Sequence, residues 1–240
     1  MKAISQLILF IFFSTNLIGQ QADSTQTERI RLGITYSPDY CYRIIVPDNS
    51  PTSQSITEWR NSNEIPKFGY TTGITLFFPL SHRLLIETGV LFSKKGEKTK
   101  QIDVSFINSP GGTIQPMHIA YNYHYHYLDI PLKLNYYILK KPSIFISGGI
   151  STNLFLQEKT TSTIEHSDGS NTNSTEPVNS ELNMINLAGM IGIGFESAFG
   201  KRLSFRIEPI FRHSITSIID APIKGYSYSL GINFGLIYKL

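Results

Sequence analysis

Two histidines, His124 and His126, lie in a tyrosine-rich segment with the spacing of a metal-binding pair. Residues two apart on a β-strand point to the same face, so both imidazoles could bind one metal ion. His118 is nearby in the chain, but no third ligand is evident. The segment is more typical of the outer aromatic rim of a strand that continues beyond a membrane. We therefore predict no metal site.

Two His-Ser pairs, His166-Ser167 and His213-Ser214, have the residue types of a lipid hydrolase. Nucleophilic catalysis requires that the nucleophile and its base lie within hydrogen-bonding reach. Adjacent residues on a strand point to opposite faces, which separates His213 from Ser214. Ser167 belongs to a polar loop segment. We predict no catalytic residues and no cofactor.

Composition narrows the class of protein. The chain has 240 residues, of which 41% are hydrophobic and 16% charged, with a formal net charge of +3. Such a chain is too apolar and too weakly charged to be disordered. Its small, dispersed positive charge predicts no nucleic-acid partner. The one cysteine, Cys41, excludes an intramolecular disulfide and a cysteine-rich zinc site.

The N-terminus has the pattern of a secretory signal. Lys2 precedes an apolar block over 7–13, and small and polar residues follow it up to Gln20. We predict a signal peptide over 1–20, a polar leader over 21–29 and one folded domain over 30–240. The mature protein is then exported from the cytoplasm.

Alternation with a period of two dominates the rest of the chain. Over 226–240, bulky apolar residues occupy every second position, and small or polar residues occupy most of the positions between them. A β-strand places these two sets of residues on opposite faces, whereas a helix would mix them. The same pattern predicts eight strands, over 30–40, 68–79, 83–94, 127–138, 144–156, 185–196, 203–213 and 226–240. Proline at positions 38, 131 and 209 removes a ladder hydrogen bond, so we expect bulges or lost pairing there.

The connections between the predicted strands alternate in length. Tight turns join strands two to three, four to five and six to seven, whereas the others run over 42–66, 96–118, 157–183 and 214–224. Transmembrane barrels show short periplasmic turns, longer extracellular loops and an even number of strands. The sequence therefore predicts an all-β protein, a closed eight-stranded antiparallel up-and-down transmembrane β-barrel.

The charged residues decide which face points outward. An Arg or Lys that faces lipid at the midplane costs about 2–4 kcal/mol, so Arg206 and Arg212 must face inward in a membrane barrel. A soluble ligand-carrying barrel, with the apolar face inside, is the alternative. Arg206, Glu208 and Arg212 could carry protons or a substrate, but inward charges more often fill a narrow lumen. We predict a lumen network of charges of both signs, made of Glu87, Asp129, Lys133, Glu196, Arg206, Glu208, Arg212 and Lys239.

Three segments resemble the PorT-like outer-membrane β-barrel domain family. They are the run over 127–137, the Glu208-Pro209 pair with Arg212-His213-Ser214, and the closing run over 228–236. The resemblance covers about 30–240 and implies an eight-stranded barrel in the cell outer membrane. The terminal Leu240 departs from the phenylalanine common at the end of such barrels.

The expected role is that of a non-enzymatic outer-membrane barrel with a structural or interaction function, long extracellular loops and a charge-filled lumen. A small transport or secretion-associated barrel is the alternative, and an outer-membrane lipid-modifying enzyme is a further one. Expected partners are outer-membrane lipid, the barrel-assembly machinery during biogenesis, and an extracellular or periplasmic protein that the sequence does not identify.

Overall fold

A single antiparallel sheet accounts for most of the residues that the structure describes. The computed structural model describes residues 29–106, 115–140, 143–166, 169–178, 182–219 and 221–240. The predicted signal peptide and all but the last residue of the predicted leader lie outside these described residues. The elements in chain order are β1 Arg31–Val46, α1 Pro51–Asn63, β2 Glu64–Ser81, β3 Leu84–Lys95, β4 Glu97–Thr99, β5 Ile102–Phe106, β6 Gln115–Lys140, β7 Ser143–Glu165, β8 Asn171–Val178, β9 Ile185–Phe199, β10 Leu203–Ser214 and β11 Lys224–Lys239.

Eight long strands close into a ring. Neighbours pair in the order β1, β2, β3, β6, β7, β9, β10 and β11. The ring returns to its start because β11 pairs with β1 along its length, from Arg31 opposite Lys239 to Val46 opposite Lys224. The prediction of an eight-stranded antiparallel barrel is confirmed.

The long connections contain more regular structure than the sequence indicated. β6 and β7 continue past the predicted strand ends and stay paired as far as His118 and Glu165. β5 pairs with the outer part of β6, and β8 pairs with the outer part of β7. The Thr- and Tyr-rich composition of β6 and β7 favours extended structure, although polar residues there hide the alternation that marks a strand.

The three strand prolines interrupt pairing on one side without shifting the register. The β1–β11 ladder passes from Tyr36 to Asp39 across Pro38, and the β9–β10 ladder passes from Ile207 to Ile210 across Pro209. The β3–β6 ladder likewise skips Pro131. Each proline keeps a partner on its other side. The expected local loss of pairing is confirmed.

The wall carries apolar side chains outside and polar ones inside. Val90, Leu132 and Ile193 are more than half exposed, whereas Arg206 and Glu208 are 3% and 1% exposed. Aromatic contacts such as Tyr40 with Phe68 form a belt near the loop end, and Tyr136, Tyr238 and Phe199 lie toward the turn end. These are the apolar band and the two aromatic girdles of a transmembrane barrel. No helix among the described residues is long and apolar enough to cross a membrane.

Helix α1 lies at the loop end of the barrel. Its first turn is capped by Ser50, whose side chain accepts a hydrogen bond from the Ser53 backbone N–H at 3.2 Å, and Pro51 occupies the first helical position. Ser53 and Thr57 are buried, whereas Ile56 and Trp59 are about half exposed. The helix therefore turns a polar face toward the barrel and leaves an apolar face uncovered.

Candidate functional site

Ion pairs bridge the middle of the lumen. Lys133 Nζ lies 3.0 Å from both carboxylate oxygens of Glu208 and 3.1 Å from Glu87 Oε1. Arg206 Nη1 lies 3.1 Å from Glu87 Oε2. These residues come from β3, β6 and β10. The Lys133–Glu208 and Arg206–Glu87 pairs therefore cross the ring, whereas Lys133 and Glu87 lie on neighbouring strands. Because all four side chains are buried, their charges must compensate one another.

Neutral donors and acceptors complete this central cluster. Asn135 donates to Glu87 at 3.1 Å and accepts from Arg206 at 2.6 Å. Asn233 and Ser147 both donate to the Glu208 carboxylate. The Arg206 guanidinium carbon lies 3.7 Å from the centre of the Phe145 ring, at a distance suited to a cation–π contact.

Two further ion pairs fill the lumen toward the loop end. Arg212 Nη1 lies 2.8 Å from Asp39 Oδ1, and Lys95 Nζ lies 3.0 Å from Asp129 Oδ2. Asn233 accepts from Arg212 at 2.8 Å while it donates to Glu208, so it connects this layer to the central cluster.

The turn end is closed by one ion pair and an apolar layer. Glu196 accepts from Arg31 at 3.0 Å, from Ser204 at 3.1 Å and from the Tyr137 hydroxyl. Beside it, Tyr137 packs on an apolar cluster of Phe77, Leu85 and Ile237. The described lumen is therefore occupied by side chains from the turn end to the loop end.

Seven of the eight predicted network residues lie buried in the lumen, namely Glu87, Asp129, Lys133, Glu196, Arg206, Glu208 and Arg212. The prediction was wrong for Lys239, which is exposed at the end of β11. Its position in the alternation is inward, but it lies at the last residue of the strand, past the layer formed by Ile237. Arg31, Asp39 and Lys95 also form ion pairs in the lumen and were not predicted to do so. All three follow the inward alternation of their strands, and that signal could have found them.

A second charged cluster lies at the mouth of the barrel, beyond the aromatic belt. Glu64 accepts from both Arg43 and Arg60, and Arg60 Nη2 also lies 3.4 Å from Glu97 Oε1. The Tyr125 hydroxyl donates to Glu97 at 2.8 Å. Burial, together with the neighbouring Glu64 carboxylate, raises the pKa of Glu97 to about 7. Helix α1 positions Arg60, and β1, β2, β4 and β6 position Arg43, Glu64, Glu97 and Tyr125 in that order.

The three histidines considered for a metal site each contact a different partner. The Lys67 ammonium donates to His124 Nδ1 at 2.6 Å, and His118 Nδ1 lies 2.6 Å from exposed Asp103. The His126 ring packs against Phe92 in the aromatic belt. Burial and the positive charge of Lys67 lower the pKa of His124 to about 4. Within the described part of the chain, no three His, Cys, Asp or Glu residues are placed to hold a metal ion.

His213 and Ser214 do not form a nucleophile and base. Ser214 is buried and its hydroxyl lies 2.8 Å from Ser227 Oγ, whereas the His213 ring contacts Phe211. His166 Nε2 lies 3.0 Å from Thr172 Oγ1, and Ser167 lies outside the described residues. The Ser214 hydroxyl is therefore not placed to give its proton to His213.

A family comparison agrees with this architecture. A family model described as "Outer membrane protein beta-barrel domain" matches residues 21–220. The chain belongs to this outer-membrane β-barrel family. Membership places the protein in the cell outer membrane, where the apolar outer face of the barrel meets lipid. No curated protein matches the sequence.

Solved barrels with similar folds are distant in sequence. Neisserial surface protein A is 11% identical with a TM-score of 0.40, over 88% of this chain and 97% of that one. The attachment invasion locus protein Ail of Yersinia pestis is 12% identical with a TM-score of 0.34, over 87% and 99%. The outer-membrane protease OmpT of Escherichia coli is 9% identical with a TM-score of 0.39, over 92% and 99%.

Proposed function

We propose that this outer-membrane barrel is a closed, non-enzymatic protein whose role is carried by its extracellular end. The observation that carries the proposal is the contact of Lys133 with Glu208 and Glu87 in the middle of the lumen. An eight-stranded barrel is just wide enough for side chains to fill. With the central charges paired across it, we expect the described side chains to leave no continuous water path for ions or solutes.

The extracellular end supports an interaction role. Transmembrane barrels place their short turns in the periplasm and their longer loops outside. Here the longer connections carry α1, the paired extensions of β6 and β7, and the edge strands β5 and β8. Surfaces of this kind are where binding residues concentrate. The proposed partners are outer-membrane lipid, the barrel-assembly machinery during biogenesis and an extracellular or periplasmic protein.

The absence of enzymatic activity is part of the proposal. It is supported by the separate environments of His213 and Ser214, because hydrolysis needs a nucleophile within reach of a base. The charges of the lumen support it as well. Glu87, Asp129 and Glu208 accept from buried cations. Glu196 accepts from Arg31 and from the hydroxyls of Ser204 and Tyr137. A lipid substrate would find no reactive pair among them.

The finer assignment to the PorT-like family is proposed on the sequence motifs alone. The segment Tyr127–Tyr137 lies on β6, and Glu208 and Arg212 lie on β10. Lys133 of the first motif forms an ion pair with Glu208 of the second. This contact is a structural reason for both residues to be present in the same chain. A family model built from PorT-like sequences should match 30–240; a failure to match would remove this assignment.

Conductance in planar bilayers tests the closed lumen. Purified barrel inserted from detergent should give no sustained current steps, whereas a trimeric porin inserted in the same bilayers provides the positive control. Insertion is verified by recovering folded barrel, with its heat-modifiable gel mobility, from the same membranes. Sustained unitary currents from verified folded protein would contradict the proposal and favour the transport alternative.

A further inference from the structure

A group of lysines lies on the outer face of the barrel, just beyond the aromatic belt at the loop end. In that belt, the ring of Phe92 on β3 lies 6.2 Å from the ring of Tyr70 and 5.7 Å from that of His126. Lys94 follows Phe92 by two residues, so it points to the same outer face, further from the membrane centre. Aromatic belts lie at the level of the lipid head groups. The lysines therefore begin at the height of the head groups.

Three lysines surround one outward-facing row of side chains on β6. Lys94 of β3 and Lys98 of β4 lie on one side of this row, and Lys159 of β7 lies on the other side, directly opposite His124. Lys94 and Lys98 are four residues apart, about 13 Å along a strand, and β4 and β7 are about 10 Å apart across β6. Because lysine stems are long and flexible, all three ammonium groups can reach one anion near His124. We call these three lysines the outer basic patch.

A fourth cation lies beneath the patch. Gly96 has no side chain, and a Cβ built there would lie 3.5 Å from Lys67 Nζ, so the Lys67 ammonium fills the space beside this glycine. Lys67 is 5% exposed, and its Nζ lies 2.9 Å from Asn122 Oδ1, 2.6 Å from the Tyr123 carbonyl oxygen and 2.6 Å from His124 Nδ1. These three partners are neutral acceptors. A buried ammonium without a counter-charge is costly, so Lys67 adds an uncompensated positive charge to the patch.

The lysines of the patch lack carboxylate partners. Among the residues that the structure describes, no ion pair includes Lys94, Lys98 or Lys159. Their positive field extends to the β6 row. Burial, followed by the charges of Lys67 and Lys94, lowers the pKa of His124 to about 4, so its ring is neutral and accepts from the Lys67 ammonium. The patch therefore carries a net positive charge that a bound anion would compensate.

The carboxylates closest to the patch along the chain lie elsewhere in the fold. Glu158 precedes Lys159 but alternates to the inner face, where it lines a cavity at the mouth of the barrel. Asp103 and Glu165 share the outer face, but both lie opposite His118, and Asp103 Oδ1 is 2.6 Å from His118 Nδ1. His118 lies four residues beyond the patch on β6, about 13 Å along the strand, which exceeds the Debye length of about 8 Å at physiological ionic strength.

A phosphate group fits the patch in charge and in position. Lysine ammonium groups bind phosphate as point charges, and several of them can surround one phosphate. A phosphate in a lipid head group lies at the height of the aromatic belt, next to Lys94, while its acyl chains meet the apolar band of the barrel. A soluble anion would match the charge but would gain nothing from the apolar band.

We propose that the outer basic patch, formed by Lys94, Lys98 and Lys159 around His124, binds the phosphate group of a lipid in the outer leaflet of the outer membrane. The inference deepens the interaction role proposed above and rests on it, since the loop end must face the outside of the cell. It defines the head-group chemistry of the lipid partner and the side of the barrel that contacts it.

Lipid binding to the folded full-length barrel tests the proposal. The protein in an uncharged detergent is titrated with dioleoyl phosphatidic acid and with dioleoylglycerol, which has the same acyl chains and no phosphate, and bound lipid is followed by native mass spectrometry. We expect saturable binding of phosphatidic acid and at least tenfold weaker binding of dioleoylglycerol. Inorganic phosphate added in tenfold excess should not displace phosphatidic acid. Equal binding of the two lipids, or displacement by inorganic phosphate, would overturn the proposal.

A triple variant tests the assignment to these lysines. Lys94→Gln, Lys98→Gln and Lys159→Gln together should weaken binding of phosphatidic acid at least tenfold. The matched control removes the same net charge at three exposed lysines outside the patch, by the substitutions Lys201→Gln, Lys224→Gln and Lys239→Gln. The control should keep its affinity for phosphatidic acid, and heat-modifiable mobility confirms that both variants are folded. An equal loss in the two variants would show that only total charge matters and would overturn the proposal.

Lysine acetylation of the wild-type barrel provides a readout that needs no variant. Phosphatidic acid should slow acetylation of Lys94, Lys98 and Lys159 at least threefold, measured by mass spectrometry. It should leave the rate unchanged at Lys224, which is exposed at the loop end of β11 on the opposite side of the ring. Unchanged rates at the patch would contradict the proposal even if the triple variant did not fold. Ion currents in planar bilayers test the closed lumen separately, so failure of one proposal does not imply failure of the other.

Discussion

Lys133 Nζ lies 3.0 Å from each carboxylate oxygen of Glu208, and the two residues belong to strands that are not neighbours in the ring. The contact therefore crosses the lumen instead of following the wall. Neither side chain is more than 2% exposed, so each charge depends on the other and on Glu87, Arg206 and Asn233 for compensation. The strands of the wall and the charged side chains in the lumen therefore stabilise one another.

Neutralising Glu208 should destabilise the barrel strongly. Glu208→Gln leaves Lys133 with Glu87 as its remaining acid, and removal of one partner of a buried ion pair costs about 3–5 kcal/mol. Urea unfolding of the barrel in lipid vesicles measures the change. Glu176→Gln, an exposed carboxylate on β8, is the matched control and should shift the free energy of unfolding by less than about 0.5 kcal/mol. Equal stabilities of the two variants would show that the central pairs are not required.

A methyl group at Gly231 should disturb the Arg212–Asp39 pair. A Cβ built there would lie 2.0 Å from Asp39 Oδ1 and 2.9 Å from Arg212 Nη1, so the pair must move. Gly231→Ala should lower the free energy of unfolding by about 1–3 kcal/mol, as overpacking typically does. Gly148→Ala is the control, since its Cβ would have no atom closer than 3.8 Å. A stable Gly231→Ala barrel would mean that the lumen is loosely packed.

The outer face should reject charge in a depth-dependent way. Ile193 is 54% exposed in the middle of β9, and Leu80 is 52% exposed near the turn end. Ile193→Arg should cost about 2–4 kcal/mol in lipid, whereas Leu80→Arg near the interface should cost about 0–1 kcal/mol. Folding equilibria in vesicles give both values. Equal, small costs at the two positions would indicate that Ile193 faces water.

The mouth cluster predicts a pH dependence with a defined sign. The pKa of Glu97 is raised from 4.5 to about 7 in the folded protein, so the folded state binds more protons than the unfolded state between these values. Stability should therefore fall as the pH rises through this window, by at most about 1.4 kcal/mol per pH unit from this group. Glu97→Gln removes that contribution.

The readout is the difference in unfolding free energy between wild type and Glu97→Gln across pH 4.5 to about 7. Other titrating groups are common to both proteins, so they cancel to first order in the difference. The wild type should lose stability relative to the variant as the pH rises. A difference independent of pH would show that Glu97 titrates near its ordinary pKa, and a relative gain would show that folding lowers its pKa; either result contradicts the prediction.

The barrel and the direction of its side chains were predictable because a period of two sorts residues between lipid and lumen. Alternation indicates to which face of the wall a side chain points, but not where along the barrel axis it lies. Lys239 was therefore assigned to the lumen although it lies at the end of β11. Lys95 was missed because it lies just past the predicted end of its strand. Asp39 was missed because Pro38 and small neighbours weaken the pattern there.

The mouth cluster was not predictable from alternation. Arg60 comes from a helix within a segment read as a loop, and Glu97 comes from the three-residue strand β4. Their approach to Arg43 and Glu64 depends on how the loops fold over the barrel. No short-range spacing in the sequence encodes that geometry.

The thiol of Cys41 reports whether the lumen is filled with side chains and closed to water. This side chain is 1% exposed and lies on the inner face of β1 beside the backbone of Gly69. A small water-soluble methanethiosulfonate reagent, applied to both sides of folded barrel in vesicles, is followed by mass spectrometry. A cysteine placed at Ser174, on exposed β8, is the accessible control. We predict that the control is modified rapidly and that Cys41 is modified only after unfolding. Rapid modification of Cys41 in the folded barrel would contradict the account.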